Sequence, residues 1–435
     1  MRKRYLFSGV EHFAFYDFHS EHGHVDENVY AYSNRAGGER SLVFYNNAYN
    51  TTAGWIKQST GLNQGRGDEG NIISKSLADS LGLRREDNVY YAFRDHREGL
   101  EYIRHSRQLC DEGMFVHLSA YGWHAFIDWR EVLDTDGSWG DLAWRLEGRG
   151  VGSLDYERRR RELAPLLDAF RAYFSVARVK SLIESLEGKS KAPAAVEESV
   201  APLDGLLKAF KPYASISDSA ADLAKFCGQA LVHWRREQDL ARPHVDNELA
   251  EEREINRWAV PVAYALLKPV SVALARGGDL HDGAGWLDAW LMTQDVVAVL
   301  SEILGDSWHG DISTKLLRSA LRFAEHPLHR IEAPPSLIAQ FEHILDDADV
   351  QQYLQFNEHE GTVYLNREQL ERLLQAFTDI REPALEHIQH AEAKAVALQS
   401  EREACSAILA AADSCGYRVE GLREFVDSNL TDTNV

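Results

Sequence analysis

The spacing of apolar residues changes once along this chain, near Trp139, and this change constrains the fold most strongly. Before it, short aromatic and β-branched runs alternate with polar residues between clusters of Gly, Asn, Asp and Ser, a pattern typical of strands and turns. From Asp155 onward, apolar residues recur about every 3.6 positions, as in amphipathic helices. At 435 residues the chain is also too long for one hydrophobic core. The pattern predicts an α+β multidomain protein, with an N-terminal antiparallel β-sandwich followed by an all-α helical region.

Period-two alternation is clearest in residues 88–94 and 123–130, which resemble half-buried strands. Gly37 and Gly38 separate two further strand-like runs, and glycine supplies the positive φ that a tight hairpin turn needs. The alternation assigns the following residues to the core of the sandwich: Val89, Tyr91, Phe93, Trp123, Ile127 and Trp129.

Composition marks the segment boundaries. Residues 51–87 become polar and Gly-rich, with a short helix expected from Ser76 to Leu81, while Gly188–Pro202 is small, charged and interrupted by proline. Near the C-terminus, Asn366 is placed to cap a helix whose apolar stripe runs through positions 370, 373, 374, 377 and 380. The predicted segments are a β-sandwich over 10–150 with an insertion at 51–87, a helical segment over 155–187, a linker at 188–202 and an all-α domain over 203–435.

Charge and cysteine content narrow the partners and the compartment. With 47 basic and 68 acidic residues, the net charge is −21, which disfavours binding to nucleic acid or to anionic membranes. The four cysteines have no C-x₂-C spacing, and the N-terminus lacks the apolar run of a secretory signal. We therefore expect a reduced, cytoplasmic protein that needs no cofactor.

The densest group of metal-ligand residue types lies in the segment FHSEHGHVDE. Imidazole and carboxylate are ligands of zinc, so His19, His22, His24 and Asp26 could hold a metal if the turn brought them together. Their spacing fits no established template, and a polar turn between strands explains them equally well. A metal-binding protein or self-contained enzyme that uses this turn is the alternative function.

Charged residues concentrate at Arg94, Asp95 and His96, at the end of a predicted strand. Neighbouring residues of a strand point to opposite faces, so Asp95 is not expected to orient His96 for catalysis. A contact with a neighbouring domain is the better interpretation. Among the aromatic residues, Trp55 and Tyr121 fall outside the core pattern and are candidates for stacking on the apolar face of a sugar ring.

Several segments, in the same order, resemble the region that follows the catalytic barrel in long bacterial α-amylase-family proteins. A C-terminal segment, VQQYLQFNEHEGTVYLNREQLERLL, is similar to the helical end of those proteins. The N-terminal segments that carry the resemblance are FAFYDF, NVYAYSNR, RSLVFYNN, GWIKQS, YYAFRDHREGLEYIR and YGWHAFIDWREV.

The resemblance implies a non-catalytic C-terminal portion of an α-glucan-active glycosidase, because the barrel motifs D-x-x-x-N-H, G-x-R-x-D and N-H-D do not occur in this sequence. Residues 1–9 would correspond to the end of the last barrel helix. The implied partners are a catalytic barrel and α-glucan, with self-association where the barrel is missing. The residues expected to face the barrel are Phe13, Phe15, Tyr16, Arg94, Asp95 and His96.

Overall fold

The computed structural model describes residues 3–63, 72–186, 192–241, 248–278, 283–324, 336–388 and 390–432. It divides into two compact units, residues 1–162 and residues 163–435, here called the sandwich unit and the helical unit. The α+β multidomain prediction is confirmed, with antiparallel sheets in the first unit and helices dominating the second.

The sandwich unit contains two main antiparallel sheets, one six-stranded with order β1-β3-β4-β11-β8-β9 and one three-stranded with order β10-β5-β2. Its strands are β1 Ala14–Tyr16, β2 His19–Ser20, β3 Val29–Ala36, β4 Glu39–Asn46, β5 Thr52–Ile56, β6 Leu62–Asn63, β7 Ile72–Ile73, β8 Val89–Asp95, β9 Glu101–His105, β10 Met114–Leu118 and β11 Trp123–Leu133. Its helices are α1 Tyr5–Ser8, α2 Leu77–Leu81, α3 Ser106–Asp111, α4 Ser138–Leu146 and α5 Leu154–Glu162.

Both sheets contribute to one hydrophobic core. Tyr16, Phe44 and Phe93 of the larger sheet share a buried cluster with Ile56 and Val116 of the smaller sheet. Alternate residues of each strand enter this cluster because successive side chains point to opposite faces of a sheet. The predicted antiparallel sandwich is therefore present, with its core between the two sheets.

Strand β11 departs from simple alternation at a bulge. The register against β8 shifts after Ile127, and Asp128 adopts a positive φ of 55°. Phe126 and Trp129 are consequently both buried, whereas Trp123 is 38% exposed and Ile127 is half-buried. The prediction that Trp123 and Ile127 belong to the core is wrong, because a bulge inserts one extra residue and reverses the facing of the residues on one side of it.

The segment 51–87 is less of an insertion than its composition suggests. It contributes β5, the central strand of the smaller sheet, and α2. The predicted helix is confirmed, and its N-cap Ser76 accepts a hydrogen bond from the backbone N–H of Asp79 at 3.0 Å. Residues 64–71 lie outside the described part of the chain.

The helical unit contains helices and a short hairpin of β12 Asn357–His359 and β13 Thr362–Tyr364. Its described helices are α6 Ala164–Tyr173, α7 Val176–Leu186, α8 Ala192–Phe210, α9 Ala220–Ala241, α10 Glu248–Arg276, α11 Gly285–Ala289, α12 Thr293–Leu304, α13 Ser307–Phe323, α14 Leu337–Asp346, α15 Ala348–Tyr353, α16 Arg367–Arg381, α17 Ala391–Ser414 and α18 Val419–Asp432, with a 3₁₀ helix at Glu382–His387.

Helix α16 follows its sequence pattern. The Asn366 side chain accepts a hydrogen bond from the backbone N–H of Gln369 at 3.2 Å, so the predicted N-cap is confirmed. The predicted stripe is buried throughout and consists of Leu370, Leu373, Leu374, Phe377 and Ile380.

Helix α10 contains the most apolar long segment described in the helical unit. This segment, Arg257–Arg276, is long and apolar enough to cross a membrane, but 94% of its most apolar 18-residue stretch is buried inside the protein. A packed helix of the protein interior therefore has the length and composition of a membrane span, although no apolar stretch of that length was expected from the sequence.

The predicted linker at 188–202 coincides in part with a helix. Residues 188–191 lie outside the described residues, and α8 runs from Ala192 through Pro202 to Phe210. Leu206 and Phe210 of this helix are fully buried, so tertiary packing outweighs the local composition and the proline. The unit boundary lies instead after Glu162.

Candidate functional site

Two exposed tryptophans line one cleft of the sandwich unit. Trp55 on β5 is 39% exposed and Trp144 on α4 is 75% exposed. The cleft that they line has a volume of about 410 Å³, within the range of small-molecule sites. Exposed indole rings that line a cleft are suited to an apolar or ring-shaped ligand.

The backbone of the smaller sheet presents Trp55 to the cleft. In β5, Gly54 and Ile56 are buried and Trp55 between them points outward. The Trp55 ring contacts Phe115 of β10, with 4.4 Å between ring centroids. Gly113, with a φ of 87°, allows β10 to approach, because a side chain there would meet the Ile56 carbonyl oxygen at 2.0 Å.

Helix α4 presents Trp144 from the other side. The Asp134 carboxylate accepts hydrogen bonds from the backbone N–H groups of Trp139 and Gly140, at 3.3 and 2.9 Å, and so satisfies the start of the helix. Trp139 and Leu142 face the core, which leaves Trp144 on the exposed face. The buried residues of α4 anchor the helix, and the Trp144 indole remains exposed to solvent.

The cleft also carries polar groups with free hydrogen-bonding capacity. Among the described residues, the side chains of Gln108, Glu112 and Glu147 make no hydrogen bond or ion pair. Arg104 is fixed instead, because its guanidinium donates to the Gly148 carbonyl oxygen at 3.0 Å. His105 is similarly held, with its Nε2 2.9 Å from the Asp87 carbonyl oxygen. Aromatic rings flanked by carboxylates and an amide match the chemistry of a sugar, which has apolar ring faces and hydroxyl edges.

The structure separates the two predicted sugar contacts. Trp55 lies in the cleft, but Tyr121 lies elsewhere, where its ring packs against Tyr49 with 6.4 Å between centroids. Trp144 was not predicted from the sequence as a candidate for the cleft. Its position could have indicated it, because Trp144 lies two residues after Leu142 and therefore off the apolar stripe of α4.

The histidine-rich turn does not bring three of its four ligand-type residues together. His19 lies on β2 opposite Trp55, and Asp26 accepts a hydrogen bond from the Thr52 hydroxyl at 2.9 Å. No three of His19, His22, His24 and Asp26, all of which the structure describes, bring ligand atoms within reach of one ion. The turn serves the strands, since the Ser20 N–H donates to the His24 carbonyl oxygen at 2.8 Å.

Asp95, Glu98 and His124 do bring their ligand atoms within 4.8 Å of one another. However, His124 Nδ1 lies 2.7 Å from Asp95 Oδ2 and its Nε2 lies 3.2 Å from the His117 carbonyl oxygen. Both partners are acceptors, so both ring nitrogens must donate and the imidazolium satisfies the geometry best. Both potential ligand atoms of His124 are therefore committed to hydrogen bonds, and the arrangement is that of an ion pair.

A second feature of the sandwich unit is an exposed set of aromatic residues on the outer face of the larger sheet, here called the aromatic face. Tyr30, Tyr45 and Trp123 form a row across β3, β4 and β11, and each is between 36% and 44% exposed. Phe13, at 39% exposure, and the half-buried Phe15 lie beside them on and next to β1. Contiguous apolar surface of this kind marks contact sites.

Only part of the predicted barrel-facing set lies on this surface. Phe13 and Phe15 do, and His96 is exposed. Tyr16 and Asp95 are fully buried, so they are corrected to internal positions. Tyr16 bonds Ser33 at 2.6 Å across the inner face, because it alternates with Phe15 along β1.

Arg94 has a partner within its own sheet. Its guanidinium donates to the Glu101 carboxylate of β9 at 2.7 Å. As expected, Asp95 does not orient His96, and it accepts instead from His124, 29 residues further along the chain. Charge at the end of β8 therefore belongs largely to the internal packing of the unit.

No protein-family model, curated protein or solved structure matches this chain. The resemblance to the post-barrel region of α-amylase-family proteins thus remains a prediction from the sequence segments.

Proposed function

We propose that the sandwich unit is a non-catalytic, α-glucan-binding accessory portion of an α-amylase-family glycosidase. The observation that carries the proposal is the cleft between Trp55 and Trp144, where two exposed indoles are flanked by the side chains of Glu112, Glu147 and Gln108, which pair with no described residue. The cleft supplies chemistry suited to a sugar, and the sequence resemblance supplies the α-glucan class.

The aromatic face has a separate role in this proposal, as the surface that contacts the catalytic barrel. Tyr30, Tyr45 and Trp123 expose their rings without a covering element among the described residues of the unit. Sheet faces that are wet on one side usually carry polar residues there. An aromatic outer face is better suited to burial against another domain, which also accounts for the self-association expected of the isolated chain.

The alternative, an enzyme or metal-binding protein that uses the histidine-rich turn, has less geometric support. His19, His22 and His24 do not converge, although they are close in sequence. A general base or metal ligand needs a free ring nitrogen, and His124 offers none because both of its nitrogens face acceptors.

Native electrophoresis through gels that contain glycogen tests the sugar proposal. We expect glycogen to retard the full chain, while hydroxyethyl cellulose does not. Trp55→Ala and Trp144→Ala should each weaken binding about tenfold or more, because buried aromatic anchors dominate contact energies. Trp308→Ala is the control, since this tryptophan is 49% exposed but belongs to the helical unit. The proposal would be refuted if glycogen retarded all three variants equally, or if it did not retard the wild-type chain.

A further inference from the structure

The helical unit contains a cavity of about 720 Å³ that no part of the proposed function uses. Helices α10, α12, α13, α15 and α16 surround it. Its volume is that of a site for a small organic molecule. Its lining decides which chemical class would fit.

Two polar side chains that are mostly buried line the cavity without a hydrogen bond to a described residue. Tyr353 is 3% exposed and Gln369 is 6% exposed. Neither the Tyr353 hydroxyl nor the Gln369 amide is bonded to another described residue. Their polar atoms are not among the fully buried atoms that lack a partner, so they are accessible from the cavity that the two residues line. Both groups are thus free to form hydrogen bonds with a ligand in the cavity.

The basic side chains at the cavity differ in their availability to a ligand. Arg257 is neutralised by Asp379, to which it donates two hydrogen bonds at 3.0 and 3.2 Å. His309 bonds the Asp306 carboxylate. Arg372 lines the cavity with no ion pair to any described residue. Arg372 is thus the cation that is free to bind an anion.

The negative charges limit how much anionic charge the ligand can carry. Glu368 and Glu371 lie beside Arg372 on α16 and also line the cavity. Arg367 pairs with Glu371 at 2.8 Å, which leaves Glu368 unpaired among the described residues. A second negative charge on the ligand would be repelled by Glu368. The remaining wall is apolar and includes Val260, Leu304, Ile312, Leu316 and Ala376.

We propose that this cavity binds a monoanionic organic acid with an apolar body. Its carboxylate accepts hydrogen bonds from the Arg372 guanidinium and the Tyr353 hydroxyl, and its body packs on Ile312 and Leu316. Gln369 provides an amide for a further polar atom of the ligand. Burial raises the pKa of Tyr353 above its ordinary value, so the hydroxyl remains a hydrogen-bond donor at neutral pH.

Isothermal titration of the full chain with octanoate, and with octanol as the neutral analogue of equal length, tests this proposal. We expect octanoate to bind saturably at one site and octanol to bind at least about tenfold more weakly, because hydrogen bonds to charged groups are the stronger ones. Arg372→Gln should lower the affinity for octanoate about tenfold or more.

Two further variants separate binding from folding. Arg423→Gln removes an equal charge from an arginine that pairs with Asp346 and does not line the cavity, and it should leave octanoate affinity unchanged. Tyr353→Phe removes a hydroxyl that bonds no described residue, so it should weaken octanoate binding without lowering the melting temperature. Absence of saturable octanoate binding, equal affinity for octanol, or equal effects of the Arg372 and Arg423 variants would overturn the proposal.

Discussion

At the scale of single residues, His124 and Asp95 form a buried ion pair whose strength depends on pH. Burial opposes the charge on His124, but the hydrogen bond and charge of Asp95 outweigh it and raise the pKa of His124 above its ordinary 6.5. Burial likewise opposes ionisation of Asp95, yet its bonds to His124 and to the backbone N–H groups of Ala125 and Arg97 lower the pKa of Asp95 below 3.8. The pair therefore stabilises the fold most fully between about pH 4 and pH 6.5.

We predict that His124→Phe lowers the free energy of unfolding by about 3 kcal/mol near pH 6, because it leaves Asp95 as an uncompensated buried charge. The stabilisation from a raised histidine pKa is lost as the pH rises through that pKa, so the same variant should cost less near pH 9. Chemical denaturation at the two pH values measures both effects. His117→Phe, at an exposed neighbouring histidine, is the control. A cost that does not change with pH would contradict the ion pair.

The same residues show what the sequence alone can determine. Alternation along β8 excludes a contact between Asp95 and His96, and this holds. The partner of Asp95 comes from β11, and only the pairing of Phe126 with Asp95 in the sheet brings His124 near. Strand pairing between distant segments is not encoded in local periodicity, so this buried pair could not be predicted.

At the scale of elements, the bulge in β11 accounts for the main error in the predicted core. Alternation places Trp123 and Trp129 on one face, but Asp128 with its φ of 55° reverses the facing between them. An aspartate in the sequence does not predict a bulge, whereas a glycine such as Gly37 does indicate a turn with positive φ. Helix α16 is predicted correctly because its N-cap and its apolar stripe are both encoded by residues close together in the sequence.

The bulge makes a prediction about Asp128. Asp128→Val should lower the free energy of unfolding by about 1–2 kcal/mol relative to Asp128→Asn, because asparagine tolerates positive φ and a β-branched side chain does not. Both variants remove the ion pair with Lys3, so the comparison isolates the backbone. Equal melting curves for the two variants would show that this bulge is not a constraint on the strand.

The aromatic face makes a second prediction at this scale. Phe15→Asp should reduce self-association of the chain, measured by sedimentation velocity, with a smaller loss of melting temperature than Tyr16→Asp. Phe15 is half-buried on the outer face, whereas Tyr16 next to it is fully buried and would place an unpaired carboxylate in the core. Undiminished association of the Phe15 variant would remove the support for a docking surface here.

At the scale of the whole molecule, the chain has separate cores on either side of Glu162. The buried clusters of the sandwich unit use residues up to Leu154, and the cluster of the helical unit begins at Leu163. The change of period in the sequence locates this division approximately, but composition places a linker at 188–202, where α8 is packed. Local composition is a poor predictor of solvent exposure when tertiary contacts bury one face of a helix.

Because the cores are separate, we predict that polypeptides 1–162 and 163–435 each fold alone. Each should show a cooperative thermal transition by circular dichroism, the first with a β-sheet spectrum and the second with a helical one. If either fragment lacked a cooperative transition, the two units would depend on each other for stability.

The central claim, a non-catalytic chain that binds α-glucan, is tested most directly by calorimetric titration of the full chain with maltodextrin. We predict a saturable binding isotherm whose heat returns to baseline after each injection, because we propose that the cleft binds sugar, and the barrel motifs of the α-amylase family, which carry the paired carboxylates, do not occur in this sequence. The isotherm should be lost in the Trp55→Ala, Trp144→Ala double variant. A titration without binding, or a sustained heat that shows turnover of maltodextrin, would contradict the account.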